Sequence, residues 1–155
     1  MERKILPKEF IQEVLIDEFK DIVDRHTYIA FSLVAIGIEF LGKCMLIECQ
    51  NWHDISPDKA FNRGLDLLIK VDERYGTLNL KDELRNGFAH TLAPKSNIVL
   101  SELKDGTTHL LEAGGKTILV IEIFYGDFVK ACIRVIAVEF PETDKMNKSF
   151  IRVEP

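Results

Sequence analysis

Residues 27–47, TYIAFSLVAIGIEFLGKCMLI, constrain the fold more than any other stretch of the chain. The stretch is apolar around most of a helical circumference, so it must lie at the centre of a fold or be covered by a partner chain. Gly37 and Gly42 within it would let a second helix approach closely. Its most apolar part, Tyr28 to Ile38, is interrupted by Glu39 and Lys43 before it reaches the roughly 18–20 residues that a bilayer requires. The N-terminus, MERKILPKEF, lacks the apolar run and small-residue cleavage site of a signal peptide. A cytoplasmic protein with no membrane association is therefore expected.

At 155 residues the chain fits one domain, and 46% apolar with 29% charged residues is a globular balance. A formal charge of −5 argues against gripping extended duplex DNA, where affinity comes largely from neutralising phosphates. Cys44, Cys49 and Cys132 are odd in number and irregularly spaced, which suits buried free thiols better than a disulfide framework. Cys44, Cys49 and His53 make a poor metal set, because the two thiols diverge by about 140° on a helix and no C-x-x-C knuckle supports them. No metal or other cofactor is expected.

Apolar positions from Phe10 to Ile22 recur at helical spacing and predict a first helix from Pro7 to about Asp24. Ser56-Pro57 is a helix start, and the periodicity carries a third helix through Phe61, Leu65, Leu68 and Val71 to Tyr75, with Gly76 placed to stop it. A shorter fourth helix spans about Asn79 to Leu92, ending before Pro94. The period then changes. Ile98–Leu103, Thr108–Glu112 and Lys116–Ile121 read as a small antiparallel β-meander over about 97–121, turning at Asp105-Gly106 and Gly114-Gly115. A last helix from about Ile123 buries Phe124, Phe128, Cys132, Val135 and Val138 and ends at Pro141. These elements predict a mainly α domain over 1–141, a bundle of about five helices with the meander inserted before the last. Residues 142–155 are expected to be a poorly packed tail.

Candidate chemistry concentrates in residues 84–90, LRNGFAH. On the fourth helix Leu80, Leu84, Phe88 and Leu92 fall within an arc of about 120° that faces the core. Asn86 and His90 share the opposite side with Glu83. Arg85 diverges from His90 by about 140°, so one copy of the helix does not easily aim both groups at one atom, whereas two copies about a two-fold axis could. Glu39 and Lys43 are an i,i+4 pair, read either as an ion pair at the helix end or as polar lining of a cleft beside the motif. Among the other histidines, His26 marks a helix start, His53 a loop and His109 a strand.

The segment LRNGFAH resembles the R-N-x-x-x-H form of the R-x4-6-H motif of the HEPN superfamily, with Arg85, Asn86 and His90 on the matching positions. GIEFLGK in the second helix and AFNRGL in the third are similar to what such domains carry upstream. The resemblance covers roughly residues 10–92 and the final helix; the meander has no counterpart in it. It implies a HEPN-like bundle and a homodimer acting as a metal-independent endoribonuclease, with an RNA substrate and a defence or toxin setting in which an antitoxin or another protein is the partner. Strand scission by the 2'-hydroxyl needs a base for that proton and an acid for the leaving 5'-oxygen, roles that paired His90 side chains would fill. Arg85 would stabilise the charged phosphorane, and Asn86 would orient His90 or the phosphate. The same superfamily has members that bind nucleotides or partners without catalysis, so a non-catalytic binding module and a dimeric scaffold stand as alternatives. If the apolar second helix is covered by a second copy, sedimentation at micromolar concentration will show a two-chain species; a strict monomer removes the composite site.

Overall fold

The computed structural model describes residues 1–153. Helices dominate, and six are distinguished here. Three contiguous helical segments, Pro7–Phe10, Ile11–Glu18 and Phe19–Arg25, make up α1; the middle one is π-helical. Helix α2 spans Thr27–Met45 and α3 spans Pro57–Ile69. Helix α4 joins a π-helical turn, Lys81–Asn86, to an α-helical one, Gly87–Thr91. Helix α5 is Ile121–Ile136 and the short α6 is Asp144–Asn147. The strands are β1 (Glu2–Ile5), β2 (Ile98–Ser101), β3 (Glu112–Ala113), β4 (Lys116–Val120) and β5 (Phe150–Val153).

Helix α2 is the central element, packed by α1, α3 and α5. Its inward residues include Ala30, Phe31, Val34, Ala35, Ile38, Leu41 and Cys44, all buried. They meet Phe61 and Leu68 of α3 and the α5 stripe of Phe124, Phe128, Cys132 and Val135. The closest approach is the α2–α3 crossing. A methyl group built on Gly42 would lie 1.6 Å from the Ala60 carbonyl oxygen, and one on Gly64 would lie 1.9 Å from that of Ile38. Glycine at both positions lets backbone rest on backbone. Ser56 caps α3 as its sequence predicts, its Oγ accepting the Lys59 N–H at 3.2 Å.

Four expectations change. Helix α3 ends at Ile69 rather than Tyr75. The Val71 and Asp72 amides bond back to the Leu68 carbonyl, and Asp72 then starts a 3-10 turn, Glu73–Thr77, by accepting the Arg74 N–H at 3.0 Å. Hydrogen bonds from Arg74 hold the Asp72 carboxyl down at about 2. The apolar spacing continues through the break because Tyr75 remains buried.

The three-stranded sheet is mixed, in the order β2-β4-β3, and is no meander. Strands β2 and β4 pair in parallel, Ile98 opposite Thr117 through Ser101 opposite Val120, and only β3 runs antiparallel to β4. Parallel neighbours need a crossover of about a dozen residues, which 102–115 supply. Gly114-Gly115 does form a tight hairpin with both φ angles positive, but Gly106 ends a short 3-10 turn instead.

Residues 142–153 are not loose. Residues 150–153 pair antiparallel with 2–5, Glu2 opposite Val153. Phe150 joins an aromatic cluster with Phe10, Phe40 and Trp52. Lys145, 2% exposed, donates to the carbonyls of Lys43 and Leu46 at 2.7 Å each, supplying a cation to the C-terminal end of α2. Finally, α2 is long and apolar enough to cross a membrane by length and composition, despite Glu39 and Lys43; in this fold half of its apolar window is buried within the protein.

An alanine in a helix is ordinarily better than glycine by up to about 1 kcal/mol, so the crossing gives a prediction with a sign. Gly64→Ala will destabilise by about 3 kcal/mol or more, at or beyond the usual range for overpacking. Gly126→Ala on α5, where nothing lies within 4 Å of the new methyl, will stabilise by about 0.5–1 kcal/mol. Urea denaturation of both variants checks this.

Candidate functional site

The outer face of α2 changes character along its length. Positions 29, 32, 36, 39 and 43 recur at i+3 and i+4 and so lie along one side of the helix. Ile29 and Ile36 are exposed at 55% and 59%, Ser32 lies half-buried between them, and Glu39 and Lys43 follow. Helix α4 lies against this side, and a groove of about 460 Å³ runs between the two, lined by Ser32, Ile36, Glu39, Arg85, Phe88, Ala89 and Leu92.

Arg85 sits at the charged end of the groove. Its Nη2 and Nε lie 3.0 and 3.1 Å from Glu39 Oε2, and its Nη1 donates to Asn86 Oδ1 at 2.9 Å. Lys43 Nζ reaches the other Glu39 oxygen at 3.4 Å. Both readings of Glu39 thus hold together: it is ion-paired to Lys43 and it lines the groove. One carboxylate between two cations leaves a net positive charge there. The Glu39 and Arg85 side chains are 13% and 25% exposed, which strengthens their charge-assisted bonds relative to a surface pair.

His90 is placed differently. It is exposed, its side chain makes no hydrogen bond or ion pair among the described residues, and it follows the groove-lining Ala89 without lining the groove itself. Within one chain the arginine is anchored in the cleft and the histidine faces solvent.

Glu83, which with Glu39 and Lys43 is a candidate to line the cleft beside the motif, is not among the walls of this groove and lines a separate one with Asn79, Asn97 and Thr117. Its carboxylate receives the Asn97 side-chain amide at 3.0 Å and the Asn97 N–H at 3.3 Å, and its carbonyl receives the Lys95 N–H at 2.7 Å. It braces the return of the chain across the back of α4. Lys95 Nζ adds a 2.7 Å ion pair to Asp82, and this bond first, with one from Asn86, holds the Asp82 carboxyl below its ordinary range. The return passes so close to Gly87 that a methyl there would lie 2.5 Å from the Ala93 carbonyl oxygen.

Leu92 departs from its expected core position. It is 78% exposed, because the helix ends on it in a left-handed conformation with φ 55°, and its carbonyl accepts the Tyr28 hydroxyl at 2.8 Å. Leu80, Leu84 and Phe88 are buried as the helical arc predicts. Sequence reasoning did not single out Ser32, Ile36, Phe88 or Ala89 as groove walls; the i+4 spacing of Ser32 and Ile36 ahead of Glu39 was the available signal.

Cys44 and Cys132 are buried free thiols, and burial raises the Cys44 thiol to about 12. Cys49 is half-buried. His53 lies in a 3-10 turn, Trp52–Asp54. No group of three His, Cys, Asp or Glu side chains arranged to hold a metal occurs among the described residues. No family model, curated protein or solved structure matches the chain.

A double-mutant cycle measures the anchoring of Arg85. Glu39→Gln and Arg85→Ala, singly and together, will give a coupling energy of about 1–3 kcal/mol by chemical denaturation. A value near zero would mean that solvent screens the pair.

Proposed function

We propose that the chain is a metal-independent endoribonuclease of HEPN type that acts as a homodimer in the cytoplasm. Arg85, Asn86 and His90 of both copies form the site. What carries the reading is the division of labour in the motif: Glu39 and Asn86 hold the Arg85 guanidinium in place, while His90 is exposed and uncommitted. Exposed Tyr28, Ile29, Ile36 and Leu92 supply apolar surface beside the motif on the side where a second copy would dock. In such a dimer one His90 removes the 2'-hydroxyl proton and the other protonates the leaving 5'-oxygen, and the product ends in a 2',3'-cyclic phosphate. Arg85 offers its forked donors to the phosphorane. Lys43 keeps the local charge positive while Glu39 is engaged.

The reading as a non-catalytic binding module draws on a different observation. The Arg85 guanidinium already faces a carboxylate and an amide, so a phosphate must compete with Glu39 for it. The two readings separate on RNA. With the nuclease reading, His90→Ala abolishes cleavage of single-stranded RNA and leaves the dimer and its stability unchanged, since the exposed ring contributes little packing. Arg85→Lys loses nearly as much activity, because an ammonium keeps the charge without the fork, and a chelator changes nothing. A purified dimer that binds RNA or nucleotides through Arg85 yet leaves a varied RNA pool intact identifies the binding module instead.

A further inference from the structure

A buried polar network outside the motif ties three parts of the chain together. Tyr75, in the turn leading from α3 towards α4, is 0% exposed. Its hydroxyl lies 2.9 Å from Asp127 Oδ2 on α5 and 2.8 Å from His109 Nε2 in the β2–β4 crossover. His109 is buried as well, in a turn and not in the strand expected for it, and its Nδ1 accepts the backbone N–H of Val120 at 3.0 Å.

That last bond assigns the proton positions. A backbone amide can only donate, so Nδ1 carries the lone pair and the single ring proton sits on Nε2, directed at the Tyr75 oxygen. The tyrosine then donates its own proton to Asp127, whose other oxygen receives Lys130 Nζ at 2.9 Å. Each group has one role, and all are satisfied only while His109 is neutral. Leu110, the next residue, holds a left-handed backbone, φ 58°, that a leucine side chain disfavours. Its N–H bonds the Ile118 carbonyl at 2.7 Å, closing the crossover on β4 while the His109 ring turns inward.

We propose that His109 is an acid-operated pin: protonating Nδ1 sets two donors against each other at Val120, and this detaches the crossover and β4 from Tyr75 and α5. In sequence, the motif helix α4 lies between the two residues the pin joins, Tyr75 before it and His109 after it. The charged groups around the ring come from both packing elements. Burial disfavours the imidazolium most, Asp127 on α5 favours it, Arg74 opposes it and Asp72 favours it. The balance leaves the histidine below its ordinary value. With a folded-state value depressed, the stabilisation is complete above the unfolded value of about 6.5 and is lost as pH falls below it towards the folded midpoint.

Imidazole nitrogen NMR and amide exchange on the whole protein between pH 8 and pH 5 test the pin. His109 should be the Nε2–H tautomer and titrate below about 6.5. After correction for intrinsic exchange, opening at the Val120 amide should rise about tenfold per pH unit between those two midpoints, while the core amide of Leu41 stays protected. His109→Asn, which keeps an acceptor near Nδ1 but does not titrate, should remove that pH dependence. An Nδ1–H tautomer, a midpoint at or above the ordinary value, or an unchanged pH dependence in His109→Asn overturns the proposal. If His109→Asn does not fold, the tautomer and midpoint of the wild-type ring decide it. RNA cleavage plays no part in these readouts, so the pin stands or falls separately from the nuclease reading.

Discussion

Two glycines facing each other's backbones set the geometry of this protein. Where α2 crosses α3, Gly42 rests on the Ala60 carbonyl and Gly64 on that of Ile38, with no room for a side-chain atom at either contact. This close crossing presses one side of α2 into α3. With α1 and α5 packed around the helix as well, a single side remains, the one carrying Ile29, Ser32, Ile36, Glu39 and Lys43. Among the described residues, the only one bonded to the Glu39 side chain from outside α2 is Arg85 of the motif helix. The rotation of α2 fixed at the glycine crossing therefore decides which motif residue is anchored.

The motif helix is itself shaped by local constraints. Its first part is π-helical, a wider winding than the α-helix and one that often occurs at functional sites. Behind it the chain returns over Gly87, strapped by Glu83, Asp82, Lys95 and Asn97. These contacts hold the back of α4 while its front faces the groove. Arg85 is fixed by that arrangement and His90 is not, which suits a site that is completed only when a second surface arrives.

The helices were legible because burial imposes a period. The stripe of Phe124, Phe128, Cys132 and Val135, the serine cap of α3 and the apolar length of α2 all appear where their spacing predicts. Other features were hidden for identifiable reasons. Tyr75 keeps the helical spacing of α3 although the helix has ended, so periodicity alone overran the break. Branched residues marked β2 and β4 as strands, but spacing carries no information on their order or direction, so the parallel pairing was not legible. Lys145 reads as a surface lysine in a polar tail, and only the open carbonyls at the end of α2 explain its burial. For the site, residue types pointed to Arg85, Asn86, His90 and Glu39. The 3.6-residue period misplaced Leu92, since the left-handed cap on which the helix ends departs from it.

The central claim is that Arg85, held in the groove by Glu39, and His90, left free at the surface, become one site when two chains meet along α2 and α4. A crystal structure of the purified protein with a short, non-cleavable RNA tests it most directly. The account predicts a two-fold axis beside α4, Ile29 and Ile36 buried against the second copy, and both His90 rings within hydrogen-bond reach of one phosphate. A dimer formed through another face, with the two His90 rings on opposite sides of the assembly, would contradict it.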